Sequence, residues 1–140
     1  MHFIGDLHQP LHCADRNGDK GGNKRLVFFR ERKQAVRLHT VWDTLILPTS
    51  KGRRSIAEYG STLNERISAE QANAWAKGTT SEWAVESWRL ARDVVHAGVP
   101  ADGDPPKLGE DYTAKAQPVV DEQIQKAGVR LAAVLNAAFR

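Results

Sequence analysis

The apolar residues of the C-terminal segment constrain the fold of this chain most strongly. From residue 120 onward, apolar side chains recur every three or four positions, at Val120, Ile124, Ala127, Leu131, Val134 and Ala138. This spacing places them on one face of an α-helix, which turns once in about 3.6 residues. The pattern therefore predicts a long amphipathic helix with its apolar stripe on a core.

Similar stripes predict helices upstream. One helix is expected from about Gln34 to Leu47, where Pro48 interrupts the apolar pattern. This helix would carry His39 and Asp43. A second amphipathic helix is expected from about Arg54, where apolar residues recur at positions 56, 59, 63 and 67.

Two candidate capping boxes add further helix starts. Ser68 is followed three positions later by Gln71, and Thr79 in the same way by Glu82. In such pairs each side chain bonds the other residue's backbone N–H at a helix N-terminus. We expect the second pair to begin a helix that lasts until Gly98.

Two segments have the composition of loops. Residues 13–25, "CADRNGDKGGNKR", and residues 98–106, "GVPADGDPP", are rich in Gly, Asp, Asn or Pro and have no apolar period. The run Leu26 to Phe29 is the one candidate strand between them. The sequence thus predicts an all-α helical bundle, with at most a small β-hairpin near residues 24–32, folded as one domain over residues 1–140.

Composition narrows the possible classes of protein. A hydrophobic content of 41% and a charged content of 26% are globular values, which argue against wholesale disorder. The net charge of +3 is compatible with a polyanionic partner. The single Cys13 cannot form an intrachain disulfide. No apolar run reaches the length of a membrane span, and residues 1–12 lack the features of a signal peptide.

Histidines are concentrated at the start of the chain. Three of the five lie within "HFIGDLHQPLH", residues 2–12. His2 and Asp6 are four positions apart, and so are His39 and Asp43. On a helix, positions i and i+4 lie one above the other, so each pair can direct an imidazole and a carboxylate toward the same point.

These two pairs and His12 would supply three nitrogen and two oxygen donors, a set that suits zinc. The alternative is that each pair is a local ion pair on a solvated face. Pro10 should end or kink a first helix at Gln9, so that His12 lies beyond the break. We expect His8 either to support a metal ligand without binding the metal or to be structural, and His96 to be a cation at a helix C-terminus.

The motifs "HFIGDLHQPLH", "DKGGN" and "LHTVWD", in that order, resemble the S1/P1 nuclease family. "WAVESWRLA" and "AGVRLAAVLN" are similar to the C-terminal helices of that family. The resemblance implies an all-α fold of the phospholipase C/P1 nuclease type with a cluster of three zinc ions. It also implies hydrolysis of single-stranded DNA and RNA and of 3′-nucleotides.

The resemblance implies roles for particular residues. His12, His39 and Asp43 match the complete protein ligand set of one zinc. His2 and Asp6 match two ligands of a second zinc, and Asp6 also matches a residue that reaches the third. In the glycine-rich loop, Gly21 and Asn23 match residues that contact a nucleobase.

The chain also departs from the family pattern. Family members carry a long segment before "HFIGD", whose terminal tryptophan, two histidines and an aspartate complete the zinc cluster, whereas here Met1 precedes the motif directly. We expect the missing ligands to come from an absent N-terminal half or a second chain, and a full-length form to be secreted or periplasmic.

Three functions therefore stay open from the sequence. The first is a zinc-dependent nuclease, which we expect to be slow as the isolated chain. The second is a remnant that binds zinc without turnover. The third is a phosphoesterase like the zinc-dependent phospholipases C, against which the "GGN" loop argues.

Overall fold

Helices occupy most of residues 2–139, the part of the chain that the computed structural model describes. Their bounds are α1 (His2–Asp6), α2 (Leu38–Thr40), α3 (Ile46–Lys51), α4 (Ile56–Glu65), α5 (Ala69–Trp75), α6 (Thr80–Leu90) and α7 (Glu110–Ala138). A 3₁₀ turn spans Pro10–Cys13, and π-helical turns span Val41–Leu45 and Ala91–Val95. The predicted fold, mostly α with a small sheet, is confirmed.

The long C-terminal helix α7 is the scaffold on which other helices pack. It contains 29 residues and contacts α1, α3, α4 and α5. It begins at Glu110, upstream of its apolar stripe, and two acidic residues in its first turn complement the helix dipole. Within residues 2–139, no helix combines the length and the apolar character needed to cross a membrane.

Capping boxes define the starts of the three middle helices. Ser68 and Thr79 cap α5 and α6 as the sequence predicts, with the partner side chains bonding back to the capping residues. Ser55 caps α4 in the same way, so this helix begins at Ile56 rather than near Arg54. Each such cap stabilises its helix by about 1 kcal/mol.

A small sheet lies beside the helices. It consists of β1 (Leu26–Phe29), β2 (Val36–Arg37) and β3 (Lys107–Leu108), in the order β2-β1-β3. β1 pairs with β2 in antiparallel register and with β3 in parallel register. The predicted hairpin is present, but its second strand lies beyond residue 32, and the third strand was not predicted.

The helix predicted from Gln34 to Leu47 has different bounds. It begins only at Leu38, because Val36 and Arg37 pair with β1 instead. It also continues past Pro48 to the end of α3. Pro48 is the third residue of α3, which follows the π-helical turn without a break.

The core joins the elements that carry the candidate ligands. Its buried residues are Leu11, Val27, Phe29, Leu38, Val41, Trp42, Ile46, Ala91, Val95, Val99, Leu108 and Ala116. Burying a side chain of leucine size stabilises a fold by about 1.5–3 kcal/mol. His12, His39 and Asp43 each follow a core residue directly in the chain, so the core fixes the backbone of all three.

Candidate metal centre

His12, His39 and Asp43 come together at the edge of the core. His12 belongs to the 3₁₀ turn, His39 to α2 and Asp43 to the π-helical turn that follows α2. One nitrogen or oxygen atom from each lies within 4.8 Å of the others. The two imidazole rings are stacked, with centroids 5.1 Å apart and planes 7° from parallel. The arrangement brings together the three residues that the resemblance assigns to one zinc.

The distances between these donor atoms fit a zinc ion. Nε2 of His39 lies 3.1 Å from Oδ2 of Asp43, and Nε2 of His12 lies 3.3 Å from Oδ1. Donors about 2.0–2.1 Å from a common zinc, at tetrahedral angles, are separated by about 3.3 Å. Three protein donors also leave the fourth position for water or substrate, as in catalytic zinc sites. The residues present therefore suit zinc in chemistry, and each histidine lies close to this separation from one of the two Asp43 oxygens.

Local structure explains why His39 and Asp43 point the same way. Leu38 and Trp42 are four positions apart and buried. Their neighbours His39 and Asp43 are also four apart and lie on the adjoining face, only partly shielded from solvent. The π-helical turn that contains Asp43 is a feature found often at functional sites.

The glycine loop orients His39. The Gly21 carbonyl lies 2.8 Å from Nδ1 of His39 and accepts its N–H. This bond assigns the proton to Nδ1 and leaves the lone pair of Nε2 directed at Asp43. Gly21 has φ of +61°, and an added Cβ would lie 2.3 Å from the carbonyl oxygen of Leu11, so the position requires glycine.

The predicted base contacts of this loop stay predictions. Gly21 is buried, and its carbonyl is occupied by His39. Asn23 is partly buried, and its Nδ2 donates to the carbonyl of Lys20 at 3.0 Å. Both residues thus have structural bonds within this region, which build the loop beside the candidate metal centre.

Gln9 is a member of the site that sequence reasoning missed. Its Nε2 donates to Oδ1 of Asp43 at 2.6 Å, while its Oε1 accepts the backbone N–H of Leu11 at 2.6 Å. The same side chain therefore orients the carboxylate and caps the 3₁₀ turn that carries His12. In the sequence, the one indication of this capping role is that Gln9 directly precedes Pro10, because the residue before a turn often caps it.

The second predicted pair lies next to this cluster. Nε2 of His2 is 3.3 Å from Oδ2 of Asp6, and Oδ1 of Asp6 is 3.6 Å from Nδ1 of His12. Asp6 thus lies between His2 and His12, as a bridging carboxylate would. The side chain of His2 is 94% exposed and that of Asp6 is 41% exposed. Among residues 2–139, the three-residue group close enough to hold a metal is His12, His39 and Asp43.

The other two histidines have different surroundings. His8 is buried, and its ring bonds the carbonyl of Ile4 and the guanidinium of Arg130, which agrees with a structural role. Burial, together with the charge of Arg130, lowers the pKa of His8. The prediction of a cationic His96 is wrong, because burial lowers its pKa and Arg16 lowers it further. Neither ring nitrogen of His96 has a hydrogen-bond partner within the described chain.

Comparison with known proteins agrees with the resemblance seen in the sequence motifs. Residues 1–140 match the S1/P1 nuclease family model. Endonuclease 2 of Arabidopsis thaliana is 34% identical, over 99% of this chain and 49% of its own length. Nuclease S1 of Aspergillus oryzae is 34% identical, over 97% and 51%, and nuclease P1 of Penicillium citrinum is 32% identical, over 97% and 54%. The chain thus spans about half the length of the curated relatives it matches.

Proposed function

Because this chain belongs to the S1/P1 nuclease family, we propose that it carries the zinc site of a nuclease that hydrolyses phosphodiester bonds in single-stranded DNA and RNA and also acts on 3′-nucleotides. The observation that carries the proposal is the convergence of His12, His39 and Asp43, whose donor atoms lie within 4.8 Å of one another. The bond from His39 to Gly21 supports it, because it presents Nε2 as a donor.

The three side chains would contribute different donor atoms and charges to a zinc site. His12 and His39 each offer a neutral nitrogen, and Asp43 offers the one negative charge. This set cancels only half of the charge of a dication, so the site would attract a phosphodiester. Zinc, when bound, would supply Lewis acidity and lower the pKa of water at the site. Gln9 would keep the carboxylate of Asp43 in place through its 2.6 Å bond.

Asp6 and His2 are proposed to hold a second zinc. Asp6 is a bridging candidate because its carboxylate faces both His2 and His12. Two protein donors hold a dication weakly against water, so we propose that ligands from outside this sequence complete the second site. Gly21 and Asn23 are proposed to contact the nucleobase of the substrate from the loop that also orients His39. An unstacked base of a single strand can reach such a loop.

Zinc binding without turnover is the second candidate function. It is favoured by the exposure of His2, which within the described residues pairs only with Asp6. A phospholipase C-like phosphoesterase is the third, and the glycine loop beside His39 argues for the nuclease instead.

An assay on three substrates separates these functions. The zinc-loaded chain would be incubated with a labelled single-stranded oligonucleotide, its duplex form and phosphatidylcholine vesicles. We expect cleavage of the single strand in preference to the duplex. Bound zinc with no cleavage of any substrate, by this chain or by a version extended with the proposed outside ligands, would support the remnant, and hydrolysis of phosphatidylcholine alone would support the phospholipase.

A matched pair of variants connects the activity to the site. Asp43 and Asp93 each occupy the third position of a five-residue π-helical turn. Asp43→Asn should reduce cleavage by more than about 100-fold, because even outer-shell groups cost about 10–100-fold when lost. Asp93→Asn, which only loses an exposed pair with Arg92, should leave cleavage unchanged. Equal activity of both variants would contradict the assignment.

A further inference from the structure

The guanidinium of Arg130 is buried where α7 meets three other parts of the chain. Arg130 is 5% exposed. Its Nη1 lies 2.8 Å from Nε2 of His8, its Nη2 donates to Oε2 of Glu86 at 2.7 Å, and its Nε donates to the carbonyl of Trp75 at 3.1 Å. Glu86 and Arg130 lie in the two C-terminal motifs to which the proposed function gives no role.

The contacts with Arg130 and with the carbonyl of Ile4 assign the same tautomer to His8. A guanidinium only donates hydrogen bonds, so Nε2 of His8 must accept and the proton must lie on Nδ1. Nδ1 then donates to the carbonyl of Ile4 at 2.7 Å. The backbone N–H of His8 bonds Gly5 rather than Ile4, so the imidazole supplies the partner for a carbonyl at the end of α1.

This bond matters because α1 is short and otherwise depends on its packing against α7. The helix contains five residues, far too few to be stable alone, and Ile4 is its one buried residue. It also carries His2 and Asp6. The segment just after it is fixed separately, since the hydroxyl of Ser87 donates to the carbonyl of Leu7.

Glu86 keeps Arg130 directed at His8. A buried cation without a carboxylate partner would strongly destabilise the fold. Glu86 accepts from both Arg130 and Lys126, and together these bonds lower its pKa against the opposing effect of burial. The ring of Trp83 lies 5.0 Å from the guanidinium carbon and packs on one side of it. Carboxylate and ring together restrict the orientation of the side chain.

We propose that Arg130, oriented by Glu86, is a positioning residue for the candidate metal centre: through His8 it holds α1 so that Asp6 stays beside His12. The proposal rests on the proposed function only in that Asp6 is taken as a zinc ligand. The chain of contacts itself is Glu86 to Arg130, Arg130 to His8 and His8 to Ile4.

The first test uses the metal-free protein. Arg130→Met removes the donors, and Gln125→Met is the matched control, because Gln125 lies on the same helix and donates to the carbonyl of Leu63 at 2.7 Å. Nitrogen-15 spectra report the tautomer of His8. Amide hydrogen exchange reports the bonds that the backbone amides of Leu7 and His8 donate to carbonyls of α1.

We expect Arg130→Met to change the nitrogen-15 resonance of His8 Nε2 to that of a nitrogen without a hydrogen bond, while the Ile4 carbonyl keeps the proton on Nδ1. Exchange at the Leu7 and His8 amides should accelerate by about 10-fold or more, while the Leu38 and His39 amides change by less than about 3-fold. Gln125→Met should change neither His8 nor α1. Equal acceleration throughout the chain would mean that Arg130 only stabilises the fold, and an unchanged Nε2 resonance would also overturn the proposal.

Arg130→Lys and Glu86→Gln keep the proposal testable where Arg130→Met does not fold. Lysine keeps the charge but cannot reach His8 and Glu86 as a fork, so the bond to Nε2 of His8 should be lost. Glutamine keeps an acceptor for Arg130 but removes the negative charge, so its effect on α1 should be smaller. A lysine variant with the Nε2 resonance and α1 exchange of the unchanged chain would overturn the proposal.

Zinc titration then separates this proposal from the proposed function. Asp6→Asn identifies the binding event that involves α1. Arg130→Met should weaken that event by about 10–100-fold, the usual effect of an outer-shell change, and shift the other event by less than about 3-fold. Equal weakening of both events would overturn the positioning role. Absence of zinc binding in the unchanged chain would instead overturn the proposed function, and the results on the metal-free protein would still stand.

Discussion

Replacing Gly21 with alanine tests how the glycine loop holds His39. Gly21 has φ of +61°, and an added Cβ would lie 2.3 Å from the carbonyl oxygen of Leu11. Gly18 is a matched control in the same loop, because its φ is +74° and no atom lies within 4 Å of the position that an added Cβ would take. Both alanine variants share the backbone strain, and only Gly21→Ala adds a collision.

The structure gives the size of each effect. Left-handed backbone conformation costs a non-glycine residue about 1–2 kcal/mol, so Gly18→Ala should lower the free energy of unfolding by that amount. At Gly21 the short contact must open by about 1 Å, and such overpacking adds about 1–3 kcal/mol. The bond from His39 Nδ1 to the Gly21 carbonyl is 2.8 Å long, and a shift of about 1 Å would break it. Loss of this support should weaken zinc binding by about 10–100-fold.

Two measurements on each variant test this reasoning. Urea unfolding of the metal-free protein gives stability, and competition with a chromophoric chelator gives the dissociation constant for zinc. Gly18→Ala should lose stability and keep its zinc affinity within about 3-fold, whereas Gly21→Ala should lose both. Equal zinc affinities in the two alanine variants would refute the claim that Gly21 orients His39.

Three further predictions concern stability, pH and metal content. Tyr112 accepts from Nε1 of Trp42 and donates to the carbonyl of Val95, so Tyr112→Phe should lower the unfolding free energy by about 1–3 kcal/mol in urea; a loss below about 0.5 kcal/mol would contradict this. Burial lowers the pKa of His96 in the folded state below 6.5, so the unfolded chain binds more protons and stability falls as pH drops below that value. In His96→Leu, the free energy of unfolding measured above and below this pH should depend less steeply on pH, and an unchanged slope would argue against this role of His96. Dialysed protein should keep about one zinc and lose it in His39→Ala, and zinc retained by that variant would rule out His39 as a ligand.

Local patterns explain how much of the fold could be predicted. The capping boxes at Ser68 and Thr79 and the stripe of α7 depend on residues three or four positions apart, so the sequence reveals them directly. β3 is different, because Lys107 and Leu108 form a strand only by pairing with β1 far along the chain. The start of α2 was misplaced for the same reason, since Val36 pairs with Val27.

The site shows the same division between local and distant contacts. The four-residue spacing of His39 and Asp43 is readable from sequence, and the structure brings His12 to them. The bonds from Gln9 to Asp43 and from Arg130 to His8 join residues far apart in the sequence, and no local pattern indicates them. The charge of His96 was mispredicted because its position near a helix end was visible, whereas its burial was not.

Anomalous diffraction at the zinc absorption edge, from crystals grown with zinc, tests the central claim most directly. The account predicts a peak about 2.0–2.1 Å from Nε2 of His12 and Nε2 of His39, with a carboxylate oxygen of Asp43 at about 2.0–2.2 Å. Crystals of Asp43→Asn should show this peak weakened or absent, while those of Asp93→Asn should keep it. Zinc bound elsewhere, with no peak between these three residues, would contradict the account.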